Sequence, residues 1–169
     1  MIPDVVQNKV VTLPTFGEIL MGVINGWQVS GIVKILSGSY MSVSSGIDNA
    51  LSATNDQTPN QILPSPYAAE RNIDHWLNPA AFAQPATGTY GNMGQRNVVG
   101  PGSIGIDVGL TRKFQVREKQ SVEFRAEAFN LPNHVNPGNP VTNLTSTTFG
   151  KILSANDPRI LQLALKYVF

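Results

Sequence analysis

Several groups of residues in this chain have types and spacings that could do chemistry. Glu123 and Glu127 stand four apart with Arg125 between them. Two carboxylates flanking one cleft are what glycoside hydrolysis uses, one as acid and one as base or nucleophile. In an extended strand, however, residues two and four apart share a face, so the arginine points between the carboxylates and the trio reads as a ladder of compensating charges. Gly100-Pro-Gly-Ser-Ile-Gly105 has the G-x-G-x-x-G spelling of a dinucleotide-binding turn. Such a turn follows a strand and opens a helix; here a strand-like run follows instead and Pro101 occupies the tight turn, so no cofactor is expected. Asp48, Asn49, Asn55 and Asp56 carry oxygens suited to calcium but lack the EF-hand spacing, and they read as a solvated loop. His75 and His134 lie in different segments without carboxylates at metal-ligand spacing, so no metal and no catalytic base is assigned to them. The chain has no cysteine, which removes disulfides, thiolate zinc sites and a cysteine nucleophile. With no catalytic constellation left, the chain is not expected to be an enzyme.

The elements that must position these residues are legible from composition and period. The chain has 169 residues, about one ordinary domain, with 12 Lys+Arg against 11 Asp+Glu. A net charge of +1 is too small for a broad nucleic-acid surface, and no nucleic-acid partner is expected. Only 14% of residues are charged and 41% are hydrophobic, so Gly, Pro, Ser, Thr, Asn and Gln make up much of the rest. That profile disfavours a helical bundle and suits strands joined by long turns. Residues 26–37 alternate, with Trp27, Val29, Gly31, Val33 and Ile35 on one face and Gln28, Ser30, Ile32 and Lys34 on the other. Residues 104–114 set Ile104, Ile106, Val108 and Leu110 against Gly105, Asp107, Gly109 and Thr111. Residues 121–130 set Val122, Phe124, Ala126 and Ala128 against Ser121, Glu123, Arg125 and Glu127. Residues 159–169 carry Leu161, Leu163, Leu165, Tyr167 and Phe169 on one side, opposed by Ile160, Gln162, Ala164, Lys166 and Val168. A weaker fifth strand is expected over Val5 to Leu13, and Phe16 to Asn25 reads as a short helix or turn.

Two stretches, 38–103 and 131–158, show no period and are expected to be long loops, whereas Gln115 to Gln120 is a short charged turn. Short turns at one end and long loops at the other are the asymmetry of an outer-membrane barrel. The strand faces then acquire an assignment. Charge in lipid is expensive, about 2–4 kcal/mol for an arginine at the midplane, so Glu123, Arg125, Glu127 and Lys166 are expected to face a wet lumen and the apolar rows to face lipid. Trp27, Tyr167 and Phe169, near strand ends, fit the aromatic girdles at the interfaces. The expected fold class is therefore all-β: antiparallel strands of a transmembrane barrel with long extracellular loops, four or five strands in an incomplete barrel.

In this context Gly26-Trp-Gln-Val-Ser-Gly-Ile32, Trp76-Leu-Asn-Pro-Ala-Ala-Phe82, Gly88-Thr-Tyr-Gly-Asn92, Gly100-Pro-Gly102 and Asp107-Val-Gly-Leu-Thr-Arg-Lys-Phe114 form an ordered series. It continues through Phe124-Arg-Ala-Glu-Ala-Phe-Asn130, Asn133-His134, Phe149-Gly150 and Asp157-Pro-Arg-Ile-Leu-Gln-Leu-Ala-Leu-Lys-Tyr-Val-Phe169. Together these pieces resemble the C-terminal part of a TonB-dependent outer-membrane receptor of the Oar-like branch, which carries a carboxypeptidase-regulatory-like domain. The resemblance implies a barrel wall, extracellular loops that help capture ligand, and a terminal strand read by the barrel assembly machinery through Gln162, Ala164, Tyr167 and Phe169. Ala164 stands where glycine is usual, and Pro132 stands where the family commonly has an aromatic, which implies a looser loop. The implied partners are outer-membrane lipid, the remaining N-terminal barrel and plug, the assembly machinery, and TonB only through that plug.

Such receptors have about 22 strands, so the chain is expected to be a fragment of the last part of a barrel, located in the outer membrane as part of the intact protein. No signal peptide is evident at Met1, and no transport is expected from the chain alone. Two rival readings are a soluble secreted β-sandwich that binds carbohydrate through Trp76 and Tyr90, and a complete eight-stranded barrel, for which the alternating segments are too few.

Overall fold

In the computed structural model, residues 25–169 are described, and the expected strand over Val5 to Leu13, like nearly all of the Phe16 to Asn25 segment, lies outside them. The described residues form β1 (Trp27–Leu36), β2 (Tyr40–Met41), β3 (Asn60–Gln61), β4 (Phe82–Ala83), β5 (Val98–Val99), β6 (Ser103–Arg117), β7 (Gln120–Phe129) and β8 (Ile160–Val168), with one 3-10 turn at Pro79–Ala81. No helix among them is long and apolar enough to cross a membrane, which says nothing about crossing by strands. The class is all-β and the main sheet does not close: its four strands run in the order β1-β6-β7-β8.

The long strands lie where apolar and polar residues alternate, and they meet in the antiparallel sense. β6 and β7 are joined by only two residues, Glu118 and Lys119, a connection that antiparallel strands alone can use. Along β1 and β6 the neighbours run in opposite directions: Ser30 Oγ lies 3.5 Å from the Gly109 carbonyl, and Lys34 Nζ lies 3.3 Å from the Asp107 carboxylate. β6 extends to Arg117, beyond the 104–114 of the sequence reading, so the turn is tighter than Gln115 to Gln120. Phe114 and Val116 prolong the even-numbered row, and charge on Lys113 and Arg117 does not interrupt a strand whose two faces meet different surroundings.

The chain divides into two units. Unit one contains, among the described residues, 25–30, 109–126 and 163–169, and so holds the β6–β7 hairpin together with the start of β1 and the end of β8. Its aromatic residues gather on the apolar rows. Trp27 makes edge contacts with Phe114 at 6.5 Å and Phe124 at 6.0 Å, and Tyr167 lies 6.1 Å from Phe169.

Unit two contains 31–108 and 127–162, and here the structure departs most from the sequence reading. The two stretches read as long loops fold together around a shared core of Val43, Leu77, Ala81, Phe82, Met93, Val98 and Phe149. Phe82 and Phe149, one from each stretch, meet edge to face at 5.3 Å. Two-residue strands do the pairing, Tyr40↔Val99 and Met41↔Val98 for β2 with β5, Asn60↔Ala83 and Gln61↔Phe82 for β3 with β4. Strands this short carry no period, so alternation could not reveal them. Much of the backbone is instead satisfied by polar side chains. Gln57 Oε1 accepts from the Ala50 N–H at 2.9 Å, Thr58 Oγ1 donates to the Met93 carbonyl at 2.8 Å, and Gln84 Nε2 donates to the Ser45 carbonyl at 2.8 Å. This is why a region rich in Ser, Asn and Gln is ordered: buried backbone groups need partners, and amides and hydroxyls supply them.

The glycines of the G-x-G-x-x-G spelling serve close packing at the entry to β6. A side chain at Gly102 would come within 2.8 Å of the Leu36 carbonyl, and one at Gly38 would run into the Gly100 carbonyl. The strand β6 follows them, where a dinucleotide-binding turn would open a helix.

Candidate functional site

The candidate site is the pair of unlike faces that β1, β6, β7 and β8 present. On the polar face of unit one, Glu123 and Arg125 of β7 line a groove with Ala164 and Lys166 of β8. Arg125 Nη2 donates to Glu123 Oε1 at 3.1 Å, so the ladder read from the sequence forms at least this pair. The groove on their other side adds Gln28, Thr111 and Lys113. Glu127 follows on the same alternating row of β7. Gln162 precedes Ala164 on the corresponding row of β8, whereas Tyr167 and Phe169 stand on the opposite, apolar row at 53% and 91% exposure. Thus the four residues that the sequence reading groups as an assembly signal are divided between the two faces.

The apolar rows are exposed to an extent that water does not favour. Leu161, Leu163 and Leu165 are 67%, 72% and 74% exposed, and Val29, Val33 and Ile35 are 72%, 65% and 74% exposed. Contiguous apolar surface of this kind marks contact with lipid or another protein.

Arg112 is a member of this face that the sequence reading missed. It follows Leu110 on the even-numbered row, is only 8% exposed, and its guanidinium lies 5.3 Å from the Trp27 ring and 4.4 Å from the Phe114 ring. Continuing the alternation past Leu110 to Arg112 and Phe114 would have found it. The aromatic faces attract the cation electrostatically, which lets an arginine occupy an otherwise apolar row.

Unit two ties its strand ends to the adjoining segments through side-chain amides. Lys34 pairs with Asp107 at 3.3 Å, and Asp107 Oδ1 also accepts from the Asn130 N–H at 3.0 Å. Asn130 Nδ2 donates to the His134 carbonyl at 2.9 Å while its Oδ1 accepts from the His134 N–H at 3.0 Å. Asn136 pairs with both backbone groups of Ile104 at 2.8 Å. The segment Asn130-Leu-Pro-Asn-His134, expected to be loose because of Pro132, is therefore closely tied. Asn130 and Asn133 take φ of 50° and 54°, a conformation asparagine tolerates better than most residues.

The remaining chemical candidates lie among local hydrogen bonds. His134 Nδ1 meets Asn136 Oδ1 at 3.1 Å, and the His75 N–H donates to Asn72 Oδ1 at 2.9 Å. No group of three or more His, Asp or Glu that could share a metal ion occurs among the described residues. The Asp48 carboxylate is engaged by donors: the N–H groups of Ser52 at 2.9 Å and Ala53 at 2.7 Å, and the Gln57 amide. These bonds, the Ser52 N–H foremost, hold its pKa below the ordinary aspartate value. They also hold Leu51 and Ala53 at φ of 57° and 63°. A depressed carboxylate pKa contributes stability that is present above the unfolded value and lost as pH falls through the folded one. Amide protection at Ser52 and Ala53 is therefore expected to be full at neutral pH and to fall away below about pH 3.9, whereas Asp48→Asn should show reduced protection already at neutral pH. Hydrogen exchange measures both, and equal protection of parent and variant at neutral pH would contradict the carboxylate's role.

Residues 4–162 match the family model described as an outer membrane beta barrel domain. No curated protein and no solved structure matches the chain.

Proposed function

The chain belongs to the outer-membrane β-barrel domain family, and from that membership we propose that β1, β6, β7 and β8 are wall strands of a TonB-dependent receptor of the Oar-like branch, located in the outer membrane. Their apolar rows face lipid. The row with Glu123, Arg125, Glu127 and Lys166 faces the lumen, the two-residue β6–β7 turn is periplasmic, and the long segments 38–103 and 131–158 are extracellular, where they help to capture ligand. The observation that carries this reading is the contrast across β8. Leu161, Leu163 and Leu165 stand exposed on one side, and Ala164 and Lys166 line a groove with Glu123 and Arg125 on the other. The four long strands among the described residues are fewer than the eight of the smallest barrels, so we read the wall as completed by further strands and the chain by itself as neither a transporter nor an enzyme. Its partners in that setting are lipid, the rest of the barrel with its plug, and the assembly machinery reading Gln162, Ala164, Tyr167 and Phe169; TonB is reached only through the plug.

The absence of cysteine from the chain makes the test direct. Single cysteines are placed at Leu163 and Ala164 of the chain within the complete barrel, which is reconstituted into phospholipid vesicles. Ala164→Cys is expected to react with a charged, membrane-impermeant maleimide. Leu163→Cys should resist it and, once labelled with an environment-sensitive dye in detergent, should be quenched by lipid-borne quenchers. Equal reactivity at the two positions would remove the face assignment.

A further inference from the structure

Away from the strand faces, unit two contains a cation on a prepared platform. The Arg71 guanidinium carbon lies 5.0 Å from the Tyr67 ring centre and 5.5 Å from that of Trp76. Both rings are fixed through one residue: Tyr67 Oη accepts from the Val99 N–H at 2.8 Å, and Trp76 Nε1 donates to the Val99 carbonyl at 3.0 Å. Since Val99 is itself paired with Tyr40, the platform is anchored in the β2–β5 ladder. Arg71 is exposed, and no acidic side chain is paired with it among the described residues.

A guanidinium held beside aromatic rings keeps N–H donors that can meet a carboxylate as a fork. Because the rings are already held, little ordering remains to be done on binding. The cleft beside Arg71 is lined by Leu63, Pro64 and Ala69, which form an apolar shelf, and by Ser65 and Asn78. Asn78 Oδ1 accepts from the Ala80 N–H at 3.1 Å as the cap of the 3-10 turn, which directs its role toward holding the wall of the cleft. Glu70 and Asp74 flank Arg71 in the sequence, so the neighbourhood favours a single negative charge over a doubly charged phosphate.

We propose that this cleft is a binding site for a small organic anion, an apolar body bearing one carboxylate, with Arg71 receiving the carboxylate and the Leu63 shelf receiving the body. The site lies wholly within unit two, so it stands independently of which strand face meets lipid.

The test uses the full chain in detergent with Trp27→Phe, which leaves Trp76 as the single tryptophan of the two in the sequence. The probes are cyclohexanecarboxylate, its uncharged amide, and acetate. Cyclohexanecarboxylate is expected to change Trp76 emission saturably, with the amide and acetate at least tenfold weaker. Arg71→Gln should lose at least tenfold in affinity. Asn78→Asp keeps a capping oxygen and adds a repelling charge, so it should weaken binding by a similar factor while near-ultraviolet circular dichroism stays that of the parent. No saturable change, an equal response to the amide, or undiminished binding by Arg71→Gln would each overturn the proposal.

Discussion

Arginine in place of Leu163 is expected to cost about 2–4 kcal/mol of insertion free energy, roughly a 30- to 800-fold shift in the equilibrium between membrane and water. Leu163 lies in the interior of β8, is 72% exposed, and shares its row with Leu161, Leu165 and Tyr167. A guanidinium there stands on the apolar row, away from the Trp27 and Phe114 rings that lie over Arg112. The matched substitution one residue on, Ala164→Gln, places a polar group in the groove with Glu123, Arg125 and Lys166, where it is expected to leave insertion unchanged. Flotation of the two variants, each carried within the complete barrel, with phospholipid vesicles measures the difference. On a soluble sandwich the difference would vanish: Leu163→Arg would be an ordinary surface substitution, within about 0.5 kcal/mol of neutral. Equal flotation of the parent and Leu163→Arg would therefore remove lipid from that face.

Phe149→Ala is expected to destabilise unit two by about 3–5 kcal/mol, the usual cost of removing a buried phenylalanine and leaving its cavity. Phe149 is 8% exposed and its ring is set against Phe82. Domains are typically stable by about 5–15 kcal/mol, so this loss is large enough to expose the unit to protease. The informative result is which segments are released. Because the core joins residues from both long stretches, cleavage is expected within 38–103 as well as 131–158, although the substitution lies in only the second. Trp76 packs against the same core, so its emission should report the same transition on denaturation. Release of 131–158 with 38–103 still protected would show that the two stretches do not share a core. The neighbouring Gly150 has φ of 78°, and a side chain there would come within 2.7 Å of the Leu77 carbonyl; Gly150→Ala should destabilise the same region by strain rather than by a cavity.

The long strands were legible because each has a row of like residues at every second position, and the arrangement of Trp27, Val29, Val33 and Ile35 or of Leu161, Leu163 and Leu165 admits few other readings. The two stretches between them were illegible for the opposite reason. Their core residues, Val43, Leu77, Phe82, Met93, Val98 and Phe149, are scattered singly among polar residues, and tertiary contact alone brings them together. The same holds for the polar groups. The acidic residues of the site were visible as a row on β7, and Glu123 does pair with Arg125. The Tyr67, Arg71 and Trp76 cluster was not visible, because it depends on Val99, far along the chain and paired with Tyr40. Pro132 misled in a further way. Proline removes a backbone donor, but the looseness expected of that loop is prevented by Asn130 and Asn136, whose side chains hold the backbone on either side.

The amides and hydroxyls that hold unit two together have a consequence for the conditions it tolerates. Bonds such as Gln84 to Ser45, Thr58 to Met93 and Asn136 to Ile104 join uncharged partners. Dissolved ions screen attraction between exposed charges but leave bonds between neutral groups nearly untouched. The contacts stitched in this way should hold across a wide range of ionic strength, while the exposed Lys34–Asp107 pair in the same unit weakens as salt rises.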